Sequence, residues 1–145
     1  MIATRAILVT TALLIGTSAP VAAESQEEAA ALFDQLTTDY AQCFGYHMLA
    51  KQCAPETATA SELDQLEGMA NRANEGAVTA GTAIGLTTEA LAERLKTSME
   101  QQAELMGNSC AGFSALIEKY ADFCRDIELG PMRRAQELRE QSGEP

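Results

Sequence analysis

Residues 110–127, CAGFSALIEKYADFCRDI, decide the fold. Cys110, Phe113, Ile117, Tyr120, Cys124 and Ile127 recur there at steps of three and four, the spacing of one face of an α-helix. Gly107-Asn108 ahead of the stretch ends one helix and caps this one, and Gly130-Pro131 stops it. Working back, Leu91, Leu95, Met99, Gln102 and Met106 form the stripe of a third helix. It starts at Gly85-Leu86-Thr87, a stop followed by a fresh N-cap, with Glu89 placed against the helix dipole. A second helix opens between Thr57 and Ser61, with Ser61-Glu62-Leu63-Asp64 as its cap, and continues through Leu63, Leu66, Ala70, Ala73 and Ala77. Residues 76–85 are nearly all small. Glycine costs a helix about 1 kcal/mol relative to alanine, but alanine dominates and no strand alternation appears. That stretch suits close helix packing, or a groove for a peptide or apolar ligand.

The first helix starts at Ser25-Gln26-Glu27-Glu28, a capping box in which serine and glutamate satisfy each other's backbone amides. Ala29, Phe33, Leu36, Tyr40, Cys43, His47 and Ala50 carry its stripe, and Pro55 closes it, so the spacing predicts a helix over 26–52. Residues 132–140 suit a short polar helix, with a frayed end beyond. Four amphipathic helices with short connections predict an all-α fold, an antiparallel up-down four-helix bundle.

The N-terminus reads as a secretory leader. Arg5 precedes an apolar run over residues 6–15, and Val21 and Ala23 fit the small-residue positions before a cut at Ala23-Glu24. The run is about half the roughly 20 residues of a membrane span. The expected organisation is a signal peptide over 1–23, a four-helix domain over 24–130 and a polar helix and tail over 131–145. The formal charge of −11 becomes −12 without the leader, which removes Arg5 and no acid. So acidic a chain argues against nucleic acid and anionic membrane as partners, and allows a basic protein partner.

Cys43, Cys53, Cys110 and Cys124 are an even set, which in an exported domain reads as a disulfide framework. Within helix 1 the first two lie about 15 Å apart, and within helix 4 the last two about 21 Å, at 1.5 Å per residue. A disulfide needs Cα atoms within about 7 Å. Both bridges therefore run between helices 1 and 4. Antiparallel helices nest them as Cys53–Cys110 and Cys43–Cys124, with Cys53 in or past a frayed helix end. The gaps between cysteines do not match zinc-ligand, haem-attachment or redox-pair spacings.

His47 is the sole histidine and lies one turn beyond Cys43, at the level of Tyr120 on helix 4. With Met48 and Tyr120 it forms the candidate binding group, for a small ligand or for copper. The bland alternative is a partly buried histidine hydrogen-bonded to Tyr120 or to backbone. One histidine cannot build a paired-imidazole metal site, and Met48, Met69, Met99, Met106 and Met132 form no M-x-M or M-x-x-M cluster. No G-x-S-x-G turn is present, and paired acids such as Glu27/Glu28 and Glu100/Glu104 fall on polar faces. The expectation is no enzyme, no catalytic residue, no resident metal and no cofactor.

Tyr40-Ala41-Gln42-Cys43, Cys53, Gly85-Leu86-Thr87 and Leu116-Ile117-Glu118-Lys119-Tyr120 followed by Cys124 resemble a group of small uncharacterised exported helical proteins of proteobacteria with two cysteine pairs. The resemblance covers most of the chain after the leader and implies a periplasmic four-helix protein without known chemistry. In size and design the chain is also similar to disulfide-bonded helical immunity proteins and periplasmic acid-stress chaperones, by analogy only. The function expected is a non-enzymatic periplasmic binding or protein-interaction domain.

Overall fold

A computed structural model describes residues 21–141. The expected leader lies outside these residues except for 21–23, as do the last four residues of the expected tail. The described residues form five α-helices and one 3-10 turn. The helices are α1 Val21–Gln52, α2 Ala60–Ala83, α3 Thr88–Leu105, α4 Ser114–Leu129 and α5 Pro131–Gln141, and the turn is Cys110–Gly112. No strand occurs among them.

α1 is the hub. Every residue over 36–51 is buried or half-buried, because α1 packs against each of the other four helices. A helix covered on all sides has no solvent face. The single stripe expected of α1 is therefore corrected: Ala29 is exposed, while Thr37, Asp39, Ala41 and Leu49, off that stripe, are buried. The helix also starts upstream of the expected capping box. Residues 21–24 are Val-Ala-Ala-Glu, rich in good helix formers, and the helix runs back through them.

Pair contacts set the helix directions. Lys51 pairs with Glu67, and Tyr40 packs under Gly76, so α2 runs back along α1. Arg94 Nη1 lies 2.8 Å from Asp34 Oδ1, and Gln102 Nε2 donates to the carbonyl of Gln42 at 2.7 Å, so α3 runs with α1. The two disulfides, Cys43–Cys124 and Cys53–Cys110, each with Cα atoms 5.3 Å apart, set α4 antiparallel to α1. α5 folds back to α1 through Arg134 and Asp39.

The helix ends follow from local chemistry. Thr59, two residues before the expected Ser61, caps α2. Its Oγ1 accepts from the Glu62 amide, and the Glu62 carboxylate accepts from the Thr59 amide at 2.7 Å. Thr59 prevails because it places glutamate at the third helical position, which completes a capping box. Thr87 caps α3 as expected. Gly85 (φ +76°) closes α2: its amide bonds the Thr82 carbonyl and that of Leu86 bonds Gly81, a Schellman ending.

Two further expectations change at α4. Cys53 lies in the turn just after α1 and Cys110 in the 3-10 turn before α4, so this bridge ties helix-flanking turns, while Cys43–Cys124 joins α1 to α4 directly. Ile117 is 49 % exposed, and Leu116 takes its place in a buried stripe with Tyr120, Cys124 and Ile127. The rest of the expected stripe stands: Tyr120, Cys124 and Ile127 are buried and Phe113 packs against the core, while a step of three from Phe113, in place of four, selects Leu116 over Ile117.

Candidate functional site

His47 is 4 % exposed, and its Nε2 hydrogen-bonds Glu128 Oε1. Glu128, and not Tyr120, is thus its hydrogen-bond partner. Helical side chains lean toward the N-terminus of their own helix. On antiparallel α1 and α4, His47 and Glu128, each one turn past its bridging cysteine, therefore lean toward each other at the level of Cys43–Cys124. That lean was readable from the spacing, but a flat register placed Tyr120 there instead. The other Glu128 oxygen lies 3.9 Å from Arg72 Nη2 of α2. His47 Nδ1 is buried and has no hydrogen-bond partner among the described residues. Met48 is half-buried, and Tyr120 is buried, its ring centroid 6.4 Å from that of Tyr46.

A second buried polar contact lies nearby. Asp39 accepts from Gln35 Nε2 and from Arg134 Nε, both at 2.8 Å. The half-buried Tyr40 feels the buried Asp39 and the half-buried Glu128. Burial first, then the charges of Asp39 and Glu128, hold its hydroxyl above the usual tyrosine range.

An open concavity lies at the C-terminal end of α1. A cavity of about 460 Å³ is lined by Tyr46, Ala50, Pro55, Leu66 and Phe113, with Glu62 also on its wall. Its volume falls in the range of about 300–1,000 Å³ usual for ligand sites. The Tyr46 and Phe113 rings are parallel, 8° between planes and 6.0 Å between centroids. Burial holds the Tyr46 hydroxyl above its ordinary pKa, so it stays a neutral donor. The backbone amide and then the hydroxyl of Thr59 hold Glu62 below the usual carboxylate range, so it stays charged. The site thus sets a stacked pair of aromatic rings and a fixed negative charge on one wall. Cys53 is also part of its wall.

The periodicity cast Phe113 as core and Pro55 as a helix stop. They line one groove, beside the Cys53–Cys110 bridge that ties the two turns. The small-residue stretch 76–85, by contrast, is filled: a Cβ at Gly76 would fall 2.6 Å from the Tyr40 ring, and Gly81 abuts Leu91. Among the described residues, no three His, Cys, Asp or Glu side chains lie close enough together to hold a metal ion.

No family model, no curated protein and no solved structure matches the chain. Two disulfides fit an oxidising extracellular compartment. Among the described residues, no helix is long and apolar enough to cross a membrane.

Proposed function

We propose that this chain is an exported, non-enzymatic binding domain, an up-down helical bundle braced by α5, that takes a basic protein segment in the groove beside Cys53. The groove itself carries this reading. Its aromatic walls suit an apolar side chain, and Glu62 suits a neighbouring cation. The charge of −11 extends that complementarity over the whole molecule. A basic toxin or a cationic envelope component has the right chemistry.

The test is capture from periplasmic extract by the oxidised protein and by a Leu66→Glu variant. A partner held by the first, lost with the second and released by salt supports the reading. Recovery of nothing reproducible, or equal recovery by both, overturns it.

A second reading, a small ligand or copper at His47, draws support from the buried Nδ1, which has no hydrogen-bond partner among the described residues. Elemental analysis of protein purified from periplasm tests it. Copper lost on His47→Ala supports it, and copper-free wild type overturns it.

A further inference from the structure

The two disulfides occupy opposite environments. Cys43 and Cys124 are each 0 % exposed and sit in the core with Leu49, Leu116 and Ile127. Cys110 is exposed in its 3-10 turn, and Cys53 is half-buried in the groove wall. Thiol–disulfide exchange needs a thiolate to approach a sulfur along an open path. Solvent reaches only one of these two bridges without unfolding the chain.

We infer that Cys53–Cys110 is a site of reversible thiol exchange with dithiols, and that Cys43–Cys124 is not. The exposed half of the bond, Cys110, is the electrophile. One thiolate of the dithiol attacks Cys110 Sγ and forms a mixed disulfide. The Sγ–Sγ bond to Cys53 breaks, and Cys53 leaves as a thiolate with the electron pair. The second thiol of the dithiol then attacks its own sulfur in the mixed disulfide and releases Cys110. The dithiol is oxidised to a disulfide, this bridge is reduced to two thiols, and the protons come from the dithiol. The buried bridge still joins α1 to α4, so the singly reduced chain keeps its helices. Because Cys53 belongs to the groove wall and Phe113 follows Cys110 by three residues, exchange also frees two sides of the groove to move apart. The inference does not depend on what the groove binds.

The test exposes the folded, oxidised full chain to dithiothreitol under native conditions. Aliquots are quenched by alkylation and mapped by mass spectrometry, with far-ultraviolet circular dichroism read in parallel. Cys53 and Cys110 are expected to be labelled at least about tenfold faster than Cys43 and Cys124, with helicity retained while only the first pair is labelled. In guanidinium the ratio should fall to about one, because the fold alone separates the bridges. Equal labelling of all four cysteines in the folded chain, or earlier labelling of Cys43 and Cys124, overturns the inference.

Discussion

α1 and α4 are joined by a disulfide yet are built on opposite plans. α4 buries one stripe, Leu116, Tyr120, Cys124 and Ile127, and turns Ile117 and the 79 % exposed Leu129 to solvent. α1 has no outer face over 36–51, and several of its buried side chains are polar: Thr37, Asp39 and His47. A peripheral helix needs only a greasy stripe. A central helix meets neighbours on every side, and each polar group it carries must find a partner there. Thr37 finds the Phe33 carbonyl at 2.7 Å, Asp39 finds Arg134, and His47 finds Glu128.

The largest expected effect comes from cutting what joins the two helices. Full reduction removes both bridges, and closing such long loops contributes about 3–5 kcal/mol for the first bridge and less for the second. Thermal melts with and without excess reductant after unfolding should differ by the loss of most of the cooperative transition. Identical melts would show that the bridges are ornamental. Next, Asp39→Ala removes the buried carboxylate that ties α1 to Arg134 of α5 and should cost about 1–3 kcal/mol in denaturant unfolding, Arg134 keeping Glu137 as a neighbour. A loss under about 1 kcal/mol would mean that α1 tolerates polarity without partners.

Within α4 the contrast between adjacent residues is direct. Leu116→Ala should cost about 2–5 kcal/mol by opening a cavity, while Ile117→Ala should stay within about 0.5 kcal/mol. Reversed values would restore the stripe that runs through Ile117. Gly76→Ala should cost about 1–3 kcal/mol, since the added methyl meets the Tyr40 ring. A neutral result would show that α2 can step away from the hub.

The smallest effect is one of pH. The folded state holds the Tyr40 proton more tightly than the unfolded chain does, so stability is intact below the ordinary tyrosine value of about 10 and falls as pH rises past it. Melting temperatures from about pH 9 to about pH 11 should fall less steeply for Tyr40→Phe than for wild type, and parallel slopes would remove Tyr40 from the account.

The same contrast explains what could be read from the chain beforehand. The cysteine pairing followed from helix rise and Cα reach, which depend on spacing alone. Thr87 and the glycines at 85 and 107 marked helix ends because caps are local chemistry. The surroundings of α1 were hidden, since three- and four-residue periodicity reports a helix with one buried face and says little about one buried all round. Asp39 with Arg134, and His47 with Glu128, are 95 and 81 residues apart and became partners only through tertiary packing. The groove was hidden for a related reason: Pro55 and Phe113 are far apart in sequence and share a wall only in the folded chain.

The order of the cysteines along the chain gives the helicity of α1 a part in assembly. A chain made from its N-terminus presents Cys43 and Cys53 long before either proper partner, across separations of 81 and 57 residues. In a flexible segment, neighbours ten residues apart are the first to collide and oxidise. Helix formation takes about a microsecond, far faster than disulfide chemistry, and whenever this segment is helical its two cysteines lie about 15 Å apart, beyond disulfide reach. The rod thus works as a spacer against premature oxidation, keeping two thiols waiting until the rest of the chain arrives.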